Sequence, residues 1–304
     1  MKTSRTNLSR RSLFSTAAAG LAPLLKAIPL SDIHLAVTTD EIDEDAAKAA
    51  GFLQRFGVRF AELRSVWGKY GTAQPVEKIR EVRAIFDAHQ VQTAIVDTAF
   101  FRGAIPADAA ALDKEWELLD ASMDRADILG TKVLRTFAFR PKDGNTGDAS
   151  VYPRSYELLR EASGRARRRG IKLAVENLEG SYVQTAAGAA RMLKAVQADN
   201  FGLTWDPNNA ASAGEKSFPD GYRLLDPARI FNVHLRDYRH NSDGKVEWAA
   251  VGAGEFDNLG QIRALRNDGY KGNFTLETHW RAPEGKLYST ETSLTALLKV
   301  IAKV

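Results

Sequence analysis

The stretch Ile171-Lys-Leu-Ala-Val-Glu-Asn-Leu-Glu-Gly180 reads as a buried parallel strand that ends on a carboxylate. Gly170 stops the basic helical segment before it, Ile171, Leu173 and Val175 are core-directed, and Glu176 falls at the strand's C-terminal edge. In α/β sheets, open or closed, ligands bind and chemistry sits at that edge, so Glu176 is a candidate site residue. The same punctuation recurs three times: Phe201-Gly-Leu-Thr-Trp ends on Asp206, Ile230-Phe-Asn-Val on His234, and Asn273-Phe-Thr-Leu on Glu277. Four successive strands therefore end on a metal-ligating residue type, at intervals of 30, 28 and 43 residues. One strand-helix unit of an eightfold barrel takes roughly 30 residues when about 250 are shared among eight.

Upstream, short apolar runs alternate with amphipathic stretches, the signature of βα units on a parallel sheet. Strands are expected at Ile33–Thr38, Val58–Leu63, Val91–Val96 and Lys132–Phe137, which brings the total to eight. Helices are expected at Asp40–Phe56, Pro75–Gln90, Ala109–Leu129, Pro153–Arg169, Thr185–Val196, Asn258–Asp268 and Ser289–Ala302. Proline near helix starts, with Gly130 and Gly170 near helix ends, follows the usual asymmetry. Eight strands and their helices in about 270 residues make one α/β domain, a single (β/α)8 TIM barrel over residues 31–304. A doubly wound open sheet would want a glycine-rich turn after its first strand, where Val37-Thr-Thr-Asp-Glu stands instead. The long segment from His240 to Phe256, with Asn241-Ser-Asp-Gly244, reads as a small hairpin over the barrel mouth and accounts for the 43-residue interval.

Residues 1–30 read differently from the rest. They hold Lys2, Arg5, Arg10, Arg11 and Lys26, no acidic residue, and a small apolar run from Leu13 to Leu25. Ser9-Arg10-Arg11-Ser12-Leu13-Phe14 matches a twin-arginine export signal, which implies the twin-arginine machinery as a partner and a periplasmic destination. Pro23 and Lys26 interrupt the apolar run short of the roughly 20 residues that a bilayer anchor needs. The chain's net charge of +4 comes from 42 basic and 38 acidic residues. Without residues 1–30 the balance is 37 against 38, too nearly neutral for a nucleic-acid partner. There is no cysteine, which excludes disulfides, thiolate ligands and a cysteine nucleophile.

Leu173-Ala-Val-Glu-Asn, Gly202-Leu-Thr-Trp-Asp-Pro-Asn-Asn, Val233-His-Leu-Arg-Asp-Tyr, Val251-Gly-Ala-Gly-Glu-Phe and Gly269-Tyr-Lys-Gly-Asn-Phe-Thr-Leu-Glu stand in one order along the chain. In that order and spacing they resemble the xylose isomerase-like TIM-barrel family of sugar isomerases and epimerases, keto-inositol dehydratases and, more distantly, endonuclease IV. The resemblance implies that Glu176, Asp206, His234 and Glu277 ligate one divalent metal ion, and that Glu176 and Glu277 trade protons with a substrate from opposite sides. Three carboxylates and an imidazole favour Mn²⁺, with Zn²⁺, Co²⁺ or Mg²⁺ as alternatives. Such an ion polarises a carbonyl and stabilises the enediolate left by loss of the α proton, with a glutamate at its edge as base.

Asn209, Arg236, Asp237, His279 and Glu62 are the expected substrate contacts. Arg236-Asp237 is similar to the family's His-x-Lys-Asp, whereas Asn209 stands where free-sugar epimerases of the family often have a histidine. Arg64, Arg135 and His34 are further candidates for lining the cavity, and Trp67, Trp205 and Trp280 for stacking on a sugar. The expected activity is a metal-dependent isomerase or epimerase of a carbohydrate or polyol. The alternatives are a lyase of a keto-inositol or keto-glycoside and a non-catalytic sugar-binding barrel. An endonuclease would need a histidine-rich zinc cluster and a basic face, and five scattered histidines supply neither. An oligomer is compatible with all of these.

Overall fold

The computed structural model describes residues 33–304, and the expected export signal lies outside them. Eight strands of four to six residues form the barrel: β1 (His34–Thr38), β2 (Phe60–Leu63), β5 (Gln92–Asp97), β6 (Val133–Thr136), β7 (Lys172–Glu176), β8 (Phe201–Trp205), β9 (Ile230–Leu235) and β12 (Asn273–Leu276). All pair in parallel, in the closed order β1-β12-β9-β8-β7-β6-β5-β2. Closure buries both faces of the sheet, so apolar residues dominate these strands, and β8 and β9 are buried at every residue. The fold is a (β/α)8 TIM barrel.

Around it pack α1 (Thr39–Ile42), α2 (Ala46–Arg55), α3 (Val76–Ala88), α4 (Ala109–Leu129), α5 (Tyr152–Arg167), α6 (Ala186–Ala195), α7 (Pro207–Ser212), α8 (Asn258–Asn267) and α9 (Lys286–Ile301). Capping sets several of their starts: Asp45, Asp108, Thr185 and Asp257 each accept a backbone N–H from the first turn of the helix that follows. Gly130 closes α4 at φ +77°, a conformation that costs glycine least. Gly202 answers a different need. A Cβ there would overlap the Arg229 carbonyl and the Phe231 ring, so the close approach of β8 to β9 admits only hydrogen at this point. Two short hairpins stand on the barrel, β3 (Ser65–Val66) with β4 (Lys69–Tyr70) and β10 (Asp237–His240) with β11 (Val246–Ala249), the second in the segment where a hairpin is expected. Among the described residues no helix is long and apolar enough to cross a membrane.

Candidate metal centre

Strands β7, β8, β9 and β12 are consecutive around the barrel, and their C-terminal ends deliver Glu176, Asp206, His234 and Glu277 to one place. One ligand atom from each lies within 4.8 Å of all the others, and all four residues are buried. His234 Nδ1 is 3.1 Å from Glu277 Oε2 and 3.6 Å from both Glu176 Oε1 and Asp206 Oδ2. The ring is held from behind, where Nε2 hydrogen-bonds Glu62 Oε1 at 2.8 Å.

Each carboxylate of this group is also held by an arginine. Arg135 Nη1 donates to Glu176 Oε2 at 2.6 Å while its Nη2 donates to Asp97. Arg236 Nη2 donates to Asp206 and to Asn209 Oδ1, and Arg64 donates to Glu277, Asp40 and Glu41. Burial works against ionisation of Glu176, but Arg135 and then His234 outweigh it and hold the carboxyl at about 2. Burial likewise opposes the Glu277 anion, and His279, His234 and Arg64 together hold it well below the usual carboxylate range. Asp97 goes the other way. Burial pushes it well above the usual range, and Arg135 offsets only part of that.

The donor set fits a divalent cation. His234 Nδ1 and Glu277 Oε2 are buried without any hydrogen-bond partner, although buried polar atoms are nearly always paired. Both point into the space shared by the four ligand atoms. Three carboxylate oxygens and one imidazole nitrogen suit a hard or borderline ion.

A family model described as xylose isomerase-like TIM barrel matches residues 47–299. The chain belongs to the xylose isomerase-like TIM-barrel family. Among curated protein sequences none matches significantly. Solved structures similar to this family member include the IolI protein with a bound zinc atom, at 19% identity and TM-score 0.70 over 88% of this chain and 98% of that one. D-allulose 3-epimerase from Methylomonas sp. in complex with D-allulose gives 17% and 0.70 over 88% and 96%. The probable 3-DHS dehydratase AsbF from Bacillus anthracis gives 14% and 0.68 over 86% and 98%. At these identities the likeness is one of fold.

The remaining expected contacts divide in this xylose isomerase-like barrel. Asn209 donates its side-chain amide to Glu176 Oε1 at 3.1 Å and its backbone N–H to Asp206 Oδ1 at 2.9 Å, so it ties two ligands together, and its Oδ1 accepts from Arg236 at 2.7 Å. Arg236 is buried beneath the Trp248 ring, 4.1 Å from its centroid, and donates to His279 Nδ1. His279, one-third exposed and at φ +48°, sets Nε2 3.3 Å from Glu277 Oε1. Two residues lie elsewhere than expected. Asp237 accepts backbone N–H groups from Tyr238, Gly252, Gly254 and Phe256, which fastens the rim hairpin and leaves it no free oxygen for a ligand. Glu62 is fully buried behind His234, with both oxygens engaged. His34 is exposed at the opposite, N-terminal end of β1 with its ring tilted against Phe60, so it lines no part of this site. Trp205 is fully buried in the core and Trp67 lies beneath Lys78, whereas Trp248 is the tryptophan at the centre's edge.

Two participants escaped the sequence reading. Asp97 ends β5 as Glu176 ends β7, one residue past where the strand was expected to stop. Glu41, completely buried on α1, accepts from Arg64 and Arg281, and it follows β1 within the stretch Val37-Thr-Thr-Asp-Glu.

Proposed function

We propose that this protein is a divalent-metal-dependent isomerase or epimerase of a neutral carbohydrate or polyol, working by transfer of the proton α to a carbonyl. The observation that carries the reading is the pair of partnerless buried atoms, His234 Nδ1 and Glu277 Oε2, at the centre of four ligand-type side chains within 4.8 Å. Mn²⁺ is the first candidate and Zn²⁺, Co²⁺ or Mg²⁺ the alternatives. Glu176, Asp206, His234 and Glu277 would hold the ion, which would supply Lewis-acid polarisation of the carbonyl when bound. The chain supplies the proton chemistry. Glu176 and Glu277 stand on the two outer strands of the four, β7 and β12, and so flank the centre. Arg135 and His234 keep Glu176 ionised, and His279, His234 and Arg64 keep Glu277 so, and an ionised carboxylate at that position is a base for the α proton.

A neutral substrate follows from the charge balance. Both terminal nitrogens of Arg64, Arg135 and Arg236 are already engaged by protein side chains. Six carboxylates, Asp40, Glu41, Glu62 and the three carboxylate ligands, stand against four guanidiniums, Arg64, Arg135, Arg236 and Arg281, while burial drives Asp97 toward its neutral form. A dication offsets that excess, and a second anion brought by the substrate restores it. The lyase is the second reading, favoured by His279: partly exposed beside Glu277, it is placed to protonate a leaving group. We also propose that residues 1–30 direct twin-arginine export, so that the enzyme works in the periplasm.

The test is incubation of Mn²⁺-loaded protein in D₂O with a panel of ketoses, inososes and 3-keto-glycosides, read by mass spectrometry. Deuterium uptake without further mass change supports the isomerase, and loss of water or aglycone supports the lyase. If no member of the panel exchanges in a way that Glu176→Gln abolishes, the proton-transfer reading is overturned.

A further inference from the structure

Glu62 lies across the barrel from the centre, at the end of β2, three places from β9 in strand order. It reaches the metal-ligand candidate His234 through the barrel interior rather than from a neighbouring strand. Its Oε1 faces His234 Nε2 at 2.8 Å and its Oε2 accepts from Asn232 Nδ2 at 2.9 Å, and the Asp97 carboxyl, driven toward its neutral form by burial, also hydrogen-bonds Glu62. Asn232 is fixed in turn, because its Oδ1 accepts from Thr275 Oγ1 at 3.0 Å. Glu62, Asn232, His234 and Thr275 are all fully buried.

We propose that Glu62 is the positioning residue of the metal centre: it fixes His234 as the Nε2–H tautomer, so that Nδ1 presents its lone pair to the cation, and its charge strengthens Nδ1 as a donor. The inference rests on the reading of Glu176, Asp206, His234 and Glu277 as ligands. The physical argument is that an imidazole has one donor and one acceptor nitrogen when neutral, so whatever accepts from one nitrogen decides the fate of the other. A carboxylate only accepts. Facing Nε2 in a place closed to water, it keeps that nitrogen's proton, so that Nδ1 is the nitrogen left to meet a cation placed between Glu176, Asp206 and Glu277. Asn232 and Thr275 keep the carboxylate from turning, and the ring cannot flip without setting a carbon against Glu62 Oε1. Glu62 thus acts on the cation through His234 and touches no substrate.

Two variants separate the hydrogen bond from the charge. In Glu62→Gln the amide oxygen still accepts from Nε2–H, and its NH₂ is accommodated by a flip of Asn232, whose new partner Thr275 is a hydroxyl that donates or accepts equally well. The charge is lost and the hydrogen bond to Nε2–H is kept. Glu62→Met loses both. Outer partners of metal-bound histidines are worth about 10–100-fold in metal affinity, so Glu62→Gln is expected near the lower end of that range for Mn²⁺ and Zn²⁺ and Glu62→Met near the upper end.

The experiment is a competition titration of each protein against a chelator, together with long-range ¹H–¹⁵N spectra of the histidine rings in Zn²⁺-loaded wild-type protein, with His234→Ala used to assign the ring. The expected spectrum has a protonated Nε2 and a metal-shifted Nδ1 for His234. A protonated Nδ1, or equal affinity of wild-type protein and Glu62→Met, overturns the proposal while leaving the ligand set intact. Wild-type protein that binds no better than His234→Ala overturns the ligand set itself. The spectrum is taken on unmutated protein, so a variant that fails to fold does not remove the test.

Discussion

Arg135 is the residue that most clearly joins stability to chemistry. It is buried, lies 4.7 Å over the Phe137 ring, and is shared between a Glu176 carboxyl held at about 2 and an Asp97 carboxyl that burial drives upward. Arg135→Met keeps much of the side-chain volume but strands Glu176 without its counter-charge. Removing one member of a buried ion pair costs about 3–5 kcal/mol, and a urea melt of the variant is expected to show a loss of that order. Added Mn²⁺ should restore part of it, because a dication takes over the neutralisation of Glu176. A melt indistinguishable from wild type would mean that Arg135 is not the counter-charge of the centre. At this scale the sequence was informative wherever one rule applied, that a strand's C-terminal end carries the chemistry. That rule brought out Glu176, Asp206, His234 and Glu277. It misses Asp97 because the apolar run ends at Val96, whereas the ladder to β6 continues through Asp97 and Arg135. The arginines were harder to place. A guanidinium's reach spans several strands, and nothing in local sequence says which carboxylate it will meet.

The rim hairpin β10–β11 is the element that separates the metal centre from the mouth. Trp248 lies opposite Tyr238 in its ladder and covers Arg236, with its ring 6.0 Å from that of His279. Asp237 fastens it, accepting four backbone N–H groups, and a Cβ on Gly254 would collide with that carboxylate. Hydrogen bonds to a charged acceptor contribute about 1.5–3 kcal/mol each and are not additive, so Asp237→Ala is expected to loosen the hairpin by several kcal/mol. Limited proteolysis should then cut between residues 240 and 256 at least tenfold faster, while Mn²⁺ affinity stays within about threefold. A variant that loses metal as readily as it is cut would place Asp237 in the centre and not in its roof. Elements were legible where period and caps agreed. The expected Ala109–Leu129 helix is the observed α4, bounded by the Asp108 cap and left-handed Gly130. The expected helix 40–56 is instead two, α1 and α2, because Asp43 is extended at φ −157° and its side chain accepts from Asp45 N, while Asp45 caps α2. Asx turns of this kind leave hydrophobic periodicity intact while breaking the backbone.

For the whole molecule, the decisive contact is the one that closes the barrel, the pairing of β1 with β12 along His34–Val37 and Asn273–Leu276. Loop-closure entropy is repaid only when the last strand arrives, so the centre, which needs Glu277 from β12, is completed only in the finished chain. Folding and ligand assembly are therefore one event. A route that carries folded proteins suits such a molecule, since the ion can be taken up before export under cytoplasmic metal supply. The sequence pattern Ser9-Arg10-Arg11-Ser12-Leu13-Phe14 supports that route, and the absence of cysteine means that nothing in the fold waits for an oxidising compartment. The expected outcome is that the full chain, expressed in a host with the twin-arginine machinery, reaches the periplasm already metal-loaded. Replacing both arginines, Arg10→Lys with Arg11→Lys, should strand at least nine-tenths of it in the cytoplasm in folded, metal-binding form, because the charge of the segment is kept and only the paired guanidiniums are lost. Cell fractionation with metal analysis of both fractions decides it. Unimpaired export of the lysine variant would remove the twin-arginine reading, and export of protein without its ion would break the link between closure of the barrel and the route taken.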